Sequence, residues 1–225
     1  MSAPTTLAVD VGGTFTDAVV NSPQGVFTAK TPTTPSDQSI GVIEAARAAL
    51  AAGDVAPGQV DQFLHGMTVT TNALLEGKLA RTALLTTEGF TDLEQLGRQN
   101  RADLYRVGVA RPAPSVPAEL RFPIAERCGP DGVIRALDSV NAPELQVSLS
   151  HQAVGTFREY ERCATTIADA ALGPLLSGYL ARLSDRALAL GLPEPQVMLS
   201  NGGTVPARTA GANASWTVLS GPAGG

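Results

Sequence analysis

The stretch L-A-V-D-V-G-G-T-F-T-D-A-V-V, Leu7 to Val20, decides the fold. An apolar strand, Leu7–Asp10, runs into two glycines and two hydroxyls, and a second strand, Asp17–Val20, follows at once. Gly25–Lys30 reads as a third strand, and such short connections predict antiparallel neighbours, because a parallel crossover needs about a dozen residues. A plain hairpin turn needs only a pair such as Asn-Gly. Here Asp10, Gly12, Gly13, Thr14, Thr16 and Asp17 crowd into one turn. The order strand–turn–strand excludes the dinucleotide fingerprint, which joins a strand to a helix, and no Gly-Lys-Ser/Thr of a P-loop is present. Glycines let backbone amides approach a bulky anion closely. Thr14 and Thr16 add hydroxyls, and an acid such as Asp10 at a strand end is placed to hold a hydrated Mg²⁺ against phosphate. An ordinary hairpin with a polar, exposed turn is the alternative, made less attractive by Asp10 and Asp17 flanking Gly-Gly-Thr.

Outward from this turn the chain alternates strands and helices, which predicts an α/β fold with a mixed sheet. Ser36 or Asp37 is placed to cap a helix through Ala52, ended by Gly53, with Ile40, Ile43, Ala46 and Leu50 on one face. A strand at Gln62–His65, a helix at Thr70–Glu76, a buried strand at Thr82–Thr87 and a helix around Leu93–Arg98 follow. The pattern dissolves from Asn100 to Asn141, with prolines at 112, 114, 117, 123 and 130 and another just beyond at 143, and L-R-F-P-I-A-E-R-C there is a candidate edge strand. Order returns at Val147, with helices at Phe157–Ala171 and Leu175–Leu190 separated by Gly173-Pro174. Gln196–Ser200 reads as a strand entering Ser200-Asn201-Gly202-Gly203, and Trp216–Leu219 as a strand entering S-G-P-A-G-G. Three segments result: 1–99 with the glycine turn, an extended 100–146, and a second α/β part at 147–225.

Composition narrows the function classes. Charged residues make up only 16% of the 225, against about 25% in an average domain, which suggests surface covered by a partner or by further chain. A net charge of -5 argues against a nucleic-acid binder. Cys128 and Cys163 give neither a disulfide framework nor metal-ligand spacing, and His65 and His151 have no third ligand near them. No signal-peptide pattern precedes Asp10 and no run of 18 apolar residues occurs, so a cytoplasmic protein without a membrane span is expected.

The turn resembles the first phosphate loop of the actin-like ATPase and sugar-kinase superfamily. Further blocks narrow the likeness: H-G-M-T-V-T-T-N-A-L-L-E-G-K, A-R-T-A-L-L-T-T-E-G-F-T-D, G-R-Q-N-R-A-D-L-Y, S-L-S-H, F-R-E-Y-E-R, S-N-G-G and L-S-G-P-A-G-G stand in the order of the hydantoinase A/5-oxoprolinase family. The resemblance implies a ribonuclease H-like, actin-like ATPase sheet with flanking helices. It also implies ATP and Mg²⁺ as cofactors, and activation of a cyclic amide or ketone by phosphorylation. Carried onto this sequence, it makes Asp10 the Mg²⁺-positioning acid, through water, and Gly12, Gly13, Thr14 and Thr16 phosphate contacts. Asp17 either polarises a water or orients the loop. His65 contacts substrate or phosphate, or is a hydrogen-bonded structural group. Thr68 and Asn72 face the cleft, Arg98 and Arg101 clamp an anion or are surface residues, and Ser200, Asn201, Gly202 and Gly203 form a second polar turn. The sequence departs from the family at Met67, where a Thr is usual, and between Gln146 and Val147, where a strand and helix are expected. It also ends before a second phosphate loop. The resemblance therefore implies a partner, either a hydantoinase B-type subunit or a C-terminal half. A non-catalytic assembly subunit and a sugar kinase-like ATPase are the alternatives.

Overall fold

The structure, a computed structural model, describes residues 3–100, 103, 105, 106, 108, 109, 113–129, 131–135 and 145–220. In chain order its elements are β1 (Thr6–Val11), β2 (Phe15–Ser22), β3 (Gly25–Pro32), α1 (Gln38–Ala52), β4 (Gln62–Met67), α2 (Val69–Leu75), β5 (Leu84–Thr87) and α3 (Leu93–Leu96). After these come β6 (Arg121–Ile124), β7 (Arg127–Gly129), β8 (Gly132–Arg135), α4 (Ser150–Ala153), α5 (Glu159–Leu190), β9 (Gln196–Met198), β10 (Thr204–Pro206) and α6 (Ala207–Gly211). The chain forms two compact units, one made of residues up to Leu79 and from Leu172 onward, the other of Ala80–Ala171.

The first unit is built on a six-stranded sheet in the order β10-β9-β4-β1-β2-β3. β1, β2 and β3 pair antiparallel as the short connections require, while β4 runs parallel to β1 and β9 parallel to β4. This is the mixed α/β sheet of the ribonuclease H-like and actin-like ATPase type. Alternation decides the faces. Leu7, Val9 and Val11 of β1, Ala18 and Val20 of β2, and Phe63 and Met67 of β4 are buried together with Val42, Ala45, Ala46 and Ala49 of α1. Leu172, Leu176, Leu180 and Leu183 of α5 complete that core. Each fully buried leucine contributes about 1.5–3 kcal/mol.

Helix α1 starts and stops where the sequence says. The Asp37 carboxylate caps it, accepting from the Ser39 amide at 3.2 Å and the Ser39 hydroxyl at 2.6 Å. Gly53 ends it with φ −96°, not in the left-handed region, which falls instead on Asp54 at φ +50°. Glycine is required there by packing: a Cβ on Gly53 would lie 2.6 Å from the Phe27 ring.

Three sequence expectations are corrected. Helix α5 runs unbroken through Pro174, because Leu172, Leu176, Tyr179, Leu180, Leu183 and Ala187 form one buried stripe across the proline, and packing overrides a local helix breaker. The Thr82–Thr87 segment is not buried core: β5 pairs only with β6, and Leu85 is 46% exposed. Trp216–Leu219 is not a strand, since Ala214–Thr217 forms a 3₁₀ turn closed by the Thr217 hydroxyl on the Ala214 carbonyl at 2.8 Å. The candidate edge strand divides into β6, which carries Pro123 as an edge tolerates, and β7, which pairs with β8.

Candidate functional site

Because β1, β4 and β9 run parallel, their carboxyl ends lie at one edge of the sheet. That edge is where open α/β sheets gather polar loops. The loop after β1 is the Gly12–Thr14 turn, the one after β4 is Thr68 leading into α2, and the one after β9 is Ser200–Gly203.

The first turn is tightly made. The Gly12 amide donates to the Phe15 carbonyl at 3.0 Å, leaving Gly13 and Thr14 as a two-residue tip. Thr16 does not face this tip. Its side chain is 0% exposed and its hydroxyl lies 3.2 Å from that of Thr33, which in turn donates to the Gly12 carbonyl at 3.0 Å. The Thr33 amide also donates to the Thr14 carbonyl at 2.9 Å, so β3 braces the turn from below. Gly12 is favoured on packing grounds, since a Cβ would lie 3.1 Å from the Phe15 carbonyl oxygen. Gly13 is not. Its φ is outside the left-handed region and a Cβ there would meet nothing within 4 Å. The chain itself gives no reason for glycine at that exposed tip, whereas a bulky anion seated on it would.

Asp10 and Asp17 stand opposite each other across the β1–β2 ladder, and both are exposed. Partial burial, then the Asp17 carboxylate, push the Asp10 pKa above its ordinary value, against the opposing pull of the Val11 amide. Asp17 pairs with Lys30 at 2.7 and 3.0 Å, a surface pair worth little by itself. The Asp10 carboxylate lies across β4, opposite Gly66, where a Cβ would come to 2.8 Å from Oδ1. Gly66 thus makes room for Asp10, a role that only the strand register exposes.

Thr68 joins this edge: its hydroxyl donates to the Val11 carbonyl at 3.2 Å and accepts from Asn72 Nδ2 at 3.3 Å. The same segment is fastened to the chain around 217–220. Thr70 Oγ1 donates to the Thr217 carbonyl at 3.2 Å, the Leu219 amide donates to Thr71 Oγ1 at 2.9 Å, and Ser220 Oγ donates to the Met67 carbonyl at 3.2 Å. Ser200–Gly203 is exposed, with the Gly203 amide on Asn201 Oδ1 at 2.9 Å and the Ser200 hydroxyl on the Trp216 carbonyl at 2.8 Å.

His65 is placed differently. It is 1% exposed on the core face of β4, with Nδ1 3.2 Å from the Val9 carbonyl and Nε2 2.8 Å from the hydroxyl of Tyr179 on α5, itself 3% exposed. Burial lowers its pKa to about 4, outweighing the Val9 carbonyl. Arg98 belongs to the other unit, where it pairs with Glu161 at 2.7 Å. Arg101 lies outside the described residues. Among the described residues no three His, Cys, Asp or Glu side chains converge as a metal cage, and no helix is long and apolar enough to cross a membrane.

Comparison with known proteins gives a consistent picture. The chain is 28% identical to caprolactamase subunit alpha of Pseudomonas jessenii over 266 aligned positions, covering 96% of this chain and 38% of that subunit. The crystal structure of the ATP-dependent caprolactamase from the same organism superposes on 95% of this chain with a TM-score of 0.77 at 25% identity, over 39% of its own length. The nucleotide-free structure of acetone carboxylase shares the fold, with a TM-score of 0.84 at 21% identity over 100% of this chain and 40% of its own. The chain thus spans about two fifths of the length of these relatives. The family profile "Hydantoinase/oxoprolinase N-terminal region" matches residues 6–155, and "Hydantoinase/oxoprolinase" matches 162–225. On these two matches the chain belongs to the hydantoinase/oxoprolinase family.

Proposed function

We propose that this chain carries the first phosphate-binding half of an ATP-dependent enzyme that activates a cyclic amide or ketone. The observation that carries the reading is Gly13: an exposed turn tip kept free of a side chain, beside Asp10 and at the carboxyl ends of three parallel strands. The Gly13 and Thr14 amides and the Thr14 hydroxyl are the donors at that tip, and each charge-assisted hydrogen bond to phosphate contributes about 1.5–3 kcal/mol. Asp10, an acid whose ionised form is disfavoured by its surroundings, fits a hydrated Mg²⁺ that supplies the missing positive charge. ATP held at this tip would supply its γ-phosphoryl group to the oxygen of an amide or of an enolate formed by loss of the ketone's α-proton, with ADP as the leaving group. Such activation would make a ring amide hydrolysable or a ketone carboxylatable.

The residues divide by placement. Asp10 orients metal and phosphate, and Asp17 with Lys30 sets the charge beside it. Thr68 and Asn72 extend the polar edge toward substrate, as do Ser200, Asn201, Gly202 and Gly203 toward the nucleotide. Thr16 acts from below by bracing the turn. The family resemblance makes Arg98 and Arg101 the candidate clamps for an anionic substrate, Arg98 pairing with Glu161 within its own unit. Transition-state charge in phosphoryl transfer is stabilised by donors preorganised around it, so turnover calls for further donors from a C-terminal half or a hydantoinase B-type subunit. The low charge content agrees with such covering.

The test is a titration of Mg-ATP into the chain and into Asp10→Ala, with circular dichroism to confirm folding. Binding by the wild type and loss of affinity of tenfold or more in the variant are expected. Equal affinities would remove Asp10 from the site.

A further inference from the structure

We propose that Tyr179 is a positioning residue for Asp10, acting through His65. This rests on reading the Gly12–Thr14 turn as a phosphate site. Val9 and His65 face each other across the parallel β1–β4 pair, and the next pair along is Asp10 and Gly66. On the core face, the Tyr179 hydroxyl and His65 Nε2 are 2.8 Å apart and His65 Nδ1 lies 3.2 Å from the Val9 carbonyl. On the outer face, one residue later, the Asp10 carboxylate crosses β4 over Gly66.

The donor and acceptor inventory leaves one arrangement for this buried chain. The Val9 carbonyl only accepts, so the neutral ring carries its proton on Nδ1 and donates it there; Nε2 then accepts from the phenol O–H. The ring stays neutral because it is buried among apolar groups. Helix α5 thereby grips the β1 backbone at the residue before Asp10, through two hydrogen bonds and a tilted ring contact at 5.8 Å between centroids. Phosphoryl transfer tolerates little displacement of its positioning groups. Beside this pair, Val9 and His65 are flanked by Val11, Phe63 and Met67, which pack without direction.

Two variants separate positioning from mere stability. Tyr179→Phe leaves Nε2 buried without a donor and should lower both melting temperature and Mg-ATP affinity, the latter about tenfold. The double variant His65→Leu/Tyr179→Phe removes both polar side chains, which costs less than leaving one of them buried and unpaired; it should regain part of the melting temperature yet stay about tenfold weaker for Mg-ATP. Affinity that recovers with stability would overturn the proposal. If the wild type binds no Mg-ATP, the phosphate reading fails, and positioning is judged without nucleotide. Amide chemical shifts of Asp10 to Gly13 should then move in Tyr179→Phe more than those of β3, and unchanged shifts would overturn it. Should neither variant fold, imidazole ¹⁵N spectra of the wild type decide: protonated Nδ1 is expected, and protonated Nε2 would refute the chain.

Discussion

Acidification should destabilise this protein in part through His65. His65 in the folded chain has its pKa lowered from 6.5 to about 4, chiefly by burial. Between those values the unfolded state binds a proton that the folded state refuses, so stability rises with pH in that window. The His65 contribution is fully present above pH 6.5 and is lost as pH falls toward 4. The whole difference corresponds to about 3 kcal/mol, with about 2 kcal/mol gone by a pH near 5. Against a total of about 5–15 kcal/mol for a typical protein, such a loss is readily measured. Urea denaturation near pH 8, 6 and 5 gives the stability directly, and the same series on His65→Leu/Tyr179→Phe subtracts the carboxylates, which titrate in both. The wild type should lose about 2 kcal/mol more than the double variant over this range. Parallel curves would mean that His65 is hydrated or already charged, and the buried Val9–His65–Tyr179 chain would be wrong.

Other substitutions probe the sheet edge and α5. Gly66→Ala places a Cβ 2.8 Å from Asp10 Oδ1; because that atom ends a flexible side chain, the fold should survive within about 1 kcal/mol, while Mg-ATP affinity measured by titration drops. Unaltered affinity would show that Asp10 need not lie across β4. Pro174→Ala restores a donor inside α5 and should raise stability by up to about 3 kcal/mol in the same urea assay. A decrease would mean that the proline ring has packing or a bend that the helix requires.

Much of the first unit is legible in the sequence because local signals and burial agree there. β1 to β3 alternate cleanly, Asp37 stands where a cap belongs, and the short turns permit only antiparallel neighbours. Legibility fails where a long-range contact decides. Pro174 breaks a helix by local rules, yet the leucine stripe on both sides holds it together. Thr16 and Thr14 look equivalent in sequence, but alternation sends Thr16 inward to Thr33 and leaves Thr14 at the tip. Gly66 carries no local sign of its function, since only its register with Asp10 shows what the missing Cβ makes room for. Tyr179 falls at core spacing in α5 and reads as packing until its hydroxyl is found on His65. The deeper regularity is that glycine and polar side chains at this edge serve each other across strands, which one-dimensional periodicity does not encode.

The central claim is that the Gly12–Thr14 tip is shaped for a phosphate, and Gly13→Ala tests it most directly. Neither φ nor any neighbour opposes a methyl group at that position, so the variant should fold as well as the wild type or gain about 0.4–1 kcal/mol from a stiffer unfolded chain. Calorimetric titration with Mg-ATP should then show binding to the wild type and affinity at least tenfold weaker, about 1.4 kcal/mol, in Gly13→Ala. Equal binding by the two proteins, or none by the wild type, would contradict the account.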